Sequence, residues 1–311
     1  MPWKRPTTPC WPATRTSSRG SRYERDRLFW QETYAQLPPS LLQRRADFKA
    51  GQANVLAPSA QVQAMLPRAL YSALTQFASE RGLSVAHVLV SVIGTYFSRT
   101  VGVDEVVVGM PVHNRSTARQ KATIGMFSSV SPIRLPVDPQ GSLLDLMNTV
   151  ATQLRRSYRH QRFPIAELNR SLRLTQNGRR QLFDVALSFE SFDGDAYYGG
   201  TLARVLMIDN GYEQTPMAIF VRDYHPNEDV HLDFNFNTAY FSLEEAQDLQ
   251  QRMRSEERRR SSDLPPAAHV RDARSGAGAL RHPRRALPAD GRGRASPSAG
   301  RIQRHRPRLS A

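Results

Sequence analysis

VVVGMPVHNRSTARQKATIGMFSSVSPIRL, residues 106–135, decides how this chain is read. It opens on the β-branched run Val106-Val107-Val108, halts at Gly109-Met110-Pro111, crosses a polar stretch carrying Arg115, Arg119 and Lys121, and re-enters an apolar run that ends at Leu135. A short apolar run bounded by glycine and proline, with no polar alternation, marks a strand buried on both faces. The segment therefore reads as strand, long loop, strand. The first strand is expected over 104–110, and the second, a strand or a strand pair, over 124–135.

Working outward, the spacing of apolar residues predicts helices on both sides. Residues 23–36 carry Leu28, Phe29, Trp30 and Tyr34 between charges, and Leu37-Pro38-Pro39 stops them. Residues 40–60 read as a linker or irregular strand region. Leu70, Leu74 and Phe77 place a helix over 66–81, ended by Gly82, and Ser84 caps the next, 85–100, which is apolar nearly all round and so belongs in a core. Downstream, helices are expected over 142–158 and 165–172, strands over 181–189, 202–208, 217–224 and 230–237, and a closing helix over 241–253 capped by Ser242. Helices and strands follow one another without a βαβ beat, which makes the fold class α+β with a mixed sheet packed by helices.

Composition narrows the function classes. The 311 residues carry a formal charge of +15, but residues 1–22 hold five basic and no acidic side chains, and the stretch from Ser255 holds fourteen arginines against five carboxylates. Only +1 is left for residues 23–254. The basic character belongs to the ends, so nucleic acid is not the expected partner of the folded part. The tail 255–311 is rich in Arg, Pro and Ala, contains no aromatic residue and is expected to be disordered, since it buries too little to offset its chain entropy. Its arginines come without a single lysine, as in GC-rich DNA translated out of frame. Residues 1–22 look equally non-native or disordered. No secretory core and no apolar run of membrane-spanning length occurs, and Cys10 stands alone, so the cytoplasm is the default compartment, with no disulfide and no cysteine-based metal site.

Several ordered segments together resemble the condensation domains of nonribosomal peptide synthetases, which have the chloramphenicol acetyltransferase-like fold. RYERDRLFWQETYAQLP (22–38) resembles the helix leading into the second lobe. LSVAHVLVSVIGTYFSRTVGVDEVVVGMPVHNR (83–115) resembles the helix, strand and loop that begin that lobe's sheet. IGMFSSVSPIRL (124–135) is similar to the IGxFVNTxxxR motif, with Ser128-Ser129 in place of the commoner pair and Arg134 near the expected arginine. RHQRFPIAELNRSL (159–172) is similar to HQxxPFExLV, and GRRQLFDVALSFES (178–191) to RxPLFQVxFxxQ. The resemblance runs over about residues 20–254 in the family's order.

The resemblance implies a C-terminal lobe over 58–254, preceded by a connector helix and linker over 23–57. It implies amide-bond formation between carrier-bound acyl or peptidyl thioesters and aminoacyl acceptors, with no metal or redox cofactor, the substrates being tethered through phosphopantetheine. It also implies carrier protein domains as partners. The family's HHxxxDG motif, whose second histidine is catalytic, is missing: none of the eight histidines is adjacent to another. Some twenty proline-rich residues before Tyr23 cannot build the lobe that bears it. The chain is therefore expected to be the second lobe alone, truncated and inactive by itself, with no catalytic residue of its own. His113, Asn114, Arg115, Ser128, Ser129 and Arg134 are the expected substrate-tunnel residues.

The remaining polar residues read as structural. His87 reads as a satisfied, half-buried helix residue and His160 as a helix-end cap. Asp223/His225 and His231/Asp233 each place two groups on one face of a strand and read as polar hairpin decoration. Ser128-Ser129 lacks the GxSxG spacing of a nucleophile elbow, and no glycine-rich phosphate loop occurs. Two further functions stay open: a non-catalytic module docking a carrier protein or a separately encoded first lobe, and a nucleic-acid binder driven by the tail.

Overall fold

Val106, Val107 and Val108 are each almost wholly buried, and they face two different cores. The computed structural model describes residues 20–45, 57–115, 117–138, 140–191, 196–203 and 207–262, all in a unit that ends at Ala267. Most of the 1–22 terminus, linker residues 46–56 and the tail from 263 lie outside the described residues. In chain order the elements are α1 (Ser21–Thr33), β1 (Ser59–Leu66), α2 (Arg68–Ser79), α3 (Val85–Val101), β2 (Glu105–Val112), α4 (Ala118–Ala122), β3 (Ser129–Pro136), α5 (Leu143–Arg159), α6 (Ile165–Ser171), a 3₁₀ turn (Leu174–Asn177), β4 (Val185–Ser191), β5 (Ala196–Tyr198), β6 (Thr201–Ala203), β7 (Met217–Asp223), β8 (Val230–Asn237) and α7 (Leu243–Ser262).

Six strands form one mixed sheet in the order β1-β8-β7-β4-β2-β3, with β2, β4 and β7 mutually parallel and the other pairs antiparallel. The α+β expectation with a mixed sheet holds. One face packs Val106, Val108, Ile133, Leu135, Leu187, Ile219, Leu232 and Phe234 against α3, α5 and α7. α3 lies between the sheet and α2, which is why a helix apolar nearly all round is buried from Val88 to Ser98. On the opposite face, β2 and its neighbours are covered by α1 and α6: Trp30, Tyr34, Val107, Phe163, Leu168, Leu174, Leu182 and Phe183 form a second core. α1 is thus packed against the sheet through Trp30 and Tyr34.

Gly109 is what lets the second core close. An added Cβ there would sit 2.6 Å from the Phe183 ring, so the ring occupies the space a side chain would take. A different use of glycine joins β5 to β6, where Gly199 and Gly200 have φ of 57° and 83° and make a two-residue hairpin turn that suits the strand twist.

Several expected elements are corrected. β1 starts at Ser59, within the expected linker, and pairs with β8 along its whole length. Its inward residues Ala60, Val62, Ala64 and Leu66 alternate, but small residues and three glutamine or serine partners hide the pattern. Residues 124–128 are loop, because Gly125 at φ 147° takes the chain out of the extended register. Strand β6 covers only Thr201–Ala203, and residues 207–208 are not strand. α7 runs on to Ser262, since no glycine or proline intervenes before Pro265.

Asp223 and Asp233 are not hairpin decoration. Asp223 receives Arg68 Nη2 at 2.7 Å, which fastens the start of α2 to β7. Asp233, 2% exposed, pairs with Arg222, whose Nε donates to Glu190 at 2.9 Å and whose guanidinium lies 4.9 Å from the Phe220 ring. Glu190, Arg222 and Asp233 sit on adjacent strands. A lone buried charge costs several kcal/mol, so the three are held together.

Two outcomes follow from this packing. Gly109→Ala should lower stability by about 1–3 kcal/mol, the usual cost of overpacking, read as a lower urea midpoint at unchanged slope. His87 closes a capping box at the start of α3, its Nδ1 accepting the Ser84 amide at 2.8 Å, which requires an unprotonated ring nitrogen. Burial and the nearby Arg155 hold its pKa below the usual 6.5. Its contribution is therefore present above that value and lost as pH falls through the depressed pKa, and His87→Gln, which keeps a capping acceptor, should flatten this acid limb in thermal melts.

Candidate functional site

The long loop leaves the sheet at the C-terminal end of β2 and returns at the start of β3, where Val112 faces Ser129. Its shape is set by Arg115. The guanidinium turns back into the loop: Nη1 donates to the carbonyls of Gln120 and Thr123 (2.7 Å to the latter), Nη2 donates to Gly125 at 2.6 Å, and the plane lies 4.3 Å from the Phe127 ring centre. A planar fork with several donors satisfies three carbonyls that no strand partner reaches. The one-and-a-half turns of α4 are held by reciprocal capping of Thr117 and Gln120.

Around this clamp, His113 and Ser128 are exposed and Ser129 half-buried at the strand end. Asn114 adopts φ 52° and turns the chain off β2, with its side-chain oxygen buried and unpartnered. Ile124 and Met126 are held out in solvent, each 93% exposed. The structure thus brings together His113, Asn114, Arg115, Ser128 and Ser129, while Arg134 stands apart. Five residues further along β3, roughly 17 Å at the usual rise, Arg134 grips Glu105 with two donors (2.9 and 3.0 Å) and donates to the carbonyls of Thr33 (2.7 Å) and Gln36 (3.0 Å). It ties the end of α1 to the β2–β3 ribbon. Arg134 also lies 5.9 Å from the ring of Tyr34, whose fully buried hydroxyl is pushed well above the ordinary phenol pKa by desolvation.

His160 is held in a structural role. His160 terminates α5, its Nδ1 2.8 Å from the buried Asp26, its ring stacked 3.9 Å from Phe29 and its carbonyl accepting from Trp30 Nε1 at 3.0 Å. Among the described residues no group of three or more His, Cys, Asp or Glu side chains is placed to hold a metal ion, and no helix is long and apolar enough to cross a membrane.

Sequence reasoning missed Arg179 and Asp184. Arg179 donates to the carbonyls of Pro38 (2.7 Å) and Leu182 (2.9 Å), and Asp184 accepts from the Leu41 amide (2.6 Å) and the Ser40 hydroxyl (2.9 Å). Together they clasp the chain leaving α1. Their only signal was position, flanking the Leu182-Phe183 pair that enters β4.

A fold with these two cores and this loop can be compared with known proteins. The family model described as Condensation domain matches residues 13–256. The chain belongs to the condensation-domain family of nonribosomal peptide synthetases. It is 26% identical over 237 residues to surfactin synthase subunit 1 of Bacillus subtilis (strain 168) and 27% identical over 242 residues to a dimodular nonribosomal peptide synthase of the same organism. Each alignment covers 76% of this chain, but only 6% and 10% of those proteins. Among solved structures it matches the first condensation domain of the CDA synthetase at 26% identity and a TM-score of 0.65, over 78% of this chain and 52% of that one. The starter condensation domain of rhizomide synthetase shares the fold, with a TM-score of 0.62 at 24% identity. The chain spans about half the length of the solved condensation-domain chains it matches.

Arg115→Lys tests the clamp. A single ammonium cannot reach three carbonyls, so the variant should lose about 1–2 kcal/mol. Limited proteolysis should then cut first within residues 113–128, and an unchanged cleavage pattern would show that the loop holds its shape without the guanidinium.

Proposed function

We propose that this chain is the C-terminal lobe of a nonribosomal peptide synthetase condensation domain and that residues 106–135 form one wall of its substrate tunnel. The observation that carries this is the coincidence of three facts: the family motifs occur in order across both cores, the match covers about half of a solved condensation-domain chain, and the 311 residues contain no HHxxxDG. In this reading His113, Asn114, Ser128 and Ser129 face the tunnel at its β2–β3 end. Arg115 fixes the loop that carries them, and Arg134 fixes the wall against α1.

The reaction served is amide formation. An amine on one carrier-bound thioester attacks the carbonyl of another, the new C–N bond forms, the C–S bond breaks, and the carrier's thiol leaves with the proton. The attacking amine must lose a proton, which the missing histidine would accept.

The chain incubated alone with acyl- and aminoacyl-loaded carrier domains should therefore give no amide product above the uncatalysed rate. Adding a separately encoded first lobe bearing HHxxxDG should restore it. Product from the isolated chain would overturn the proposal. A second reading, a non-catalytic docking module, draws on Ile124 and Met126, two large apolar side chains held in solvent on one loop. It requires stable complex formation with that lobe or a carrier but no gain of product in the same assay.

A further inference from the structure

β3 is the last strand on its side of the sheet, and in the order β1-β8-β7-β4-β2-β3 no strand among the described residues pairs with its far edge. A free edge of eight residues is a row of unpaired amides and carbonyls, and such a row templates the addition of another strand. What this edge offers follows from its register. In an antiparallel ladder, residues that exchange hydrogen bonds with the facing strand alternate with residues whose backbone groups turn away from it. The Val137 amide donates to the Asp104 carbonyl at 2.7 Å, one step beyond the Glu105–Pro136 pair, and this bond sets the phase. Ser131, Ile133 and Leu135 therefore bond to β2, opposite Met110, Val108 and Val106. The backbone groups of Val130, Pro132, Arg134 and Pro136 point outward.

Two of these four outward residues are prolines. A proline has no amide hydrogen, and its ring fills the place from which that hydrogen would be donated. One position along, either residue would interrupt the ladder to β2; at 132 and 136 they leave that ladder complete, which is where an edge strand tolerates proline. Pro132 is buried opposite Gly109, and Pro136 is exposed at the end of the strand. Both stand in the one phase that only an incoming strand would meet. Arg134, the single charged residue of β3, is turned onto Glu105 and the end of α1, so its charge is not what faces the edge.

We infer that Pro132 and Pro136 close the β3 edge against a second copy of this chain. The choice of partner comes from the strand itself. Paired antiparallel with its own image about Ile133, β3 sets Val130 against Pro136 and Pro132 against Arg134, a self-complementary contact of the two-fold kind. Each of these pairs requires an amide from both members. One member of each is a proline, so every pair loses one of its two bonds. The inference uses only the sheet and stands independently of the condensation-lobe reading.

The test restores the missing donors in the full chain with Pro132→Thr/Pro136→Thr, and follows sedimentation and residue-resolved hydrogen exchange over a wide range of protein concentration. In the wild type, the amides of Val130 and Arg134 should exchange freely while those of Ser131, Ile133 and Leu135 are protected, and the association state should not change with concentration. The double variant should shift to a dimer as concentration rises, and the amides at 130, 132, 134 and 136 should gain protection in step with it. Circular dichroism checks that the variant is folded. Pro136→Thr alone, at an exposed position, should give a smaller shift in the same direction, which keeps the test informative if replacing the buried Pro132 unfolds the sheet. A folded double variant that sediments like the wild type overturns the inference. So does association that protects β1 in place of β3, or protection of Val130 and Arg134 already present in the wild type.

Discussion

The second core depends on the absence of a side chain at Gly109. The two faces of β2 serve different cores, with Val106, Val108 and Met110 toward α3 and α5, and Val107 and Gly109 toward α1 and α6. Phe183 enters at Gly109 and anchors the start of β4, so the parallel β2–β4 pairing and the docking of α1 share one close approach. Parallel strands need long crossover connections. Here the crossover between β2 and β4 carries β3, α5 and α6, and its return is fixed by that ring. Protein interiors are packed too densely for the ring to move aside without cost.

Where packing does not set the backbone, arginine does. Arg115, Arg134 and Arg179 each spend their guanidinium on main-chain carbonyls: of the long loop, of the end of α1, and of the segment that follows it. Irregular backbone has carbonyls that no strand or helix ladder satisfies, and a buried or half-buried carbonyl left unpaired is costly. A planar group with five donors meets that need where a lysine would not. The consequence for function is direct. Polar residues that stand in the family-like motifs here shape the site, while the residues left facing solvent at the β2–β3 end, His113 and Ser128, are the less distinctive ones.

This division explains what could be read from sequence. β8 was legible residue for residue, because VHLDFNFN alternates cleanly and a turn precedes it; the longer helices were legible from apolar spacing and the Ser84 and Ser242 caps, while the short α4 was not. β1 was not, because Ala60 and Ala64 are too small to stand out and its outer face carries glutamines suited to an edge. Asp233 was misjudged as decoration because its burial depends on Arg222 and Glu190 from two other strands, a contact with no local signature. The loop's location was legible from its glycines and basic residues. Its clamp was not, since nothing in HNRSTARQKATIGMF says which arginine turns inward.

The same division shows which polar residues the packed unit uses for its own architecture. The sheet, both cores and the arginine clamps are built from contacts among the described residues. His87 serves as a helix cap and His160 as an anchor for α1, each through its Nδ1. Beyond this packing the chain presents a fixed loop at one end of β2. Positioning contributes to catalysis only when a reacting group is placed opposite it. On the proposed reading, the loop's rigidity is what this chain would bring to such a reaction.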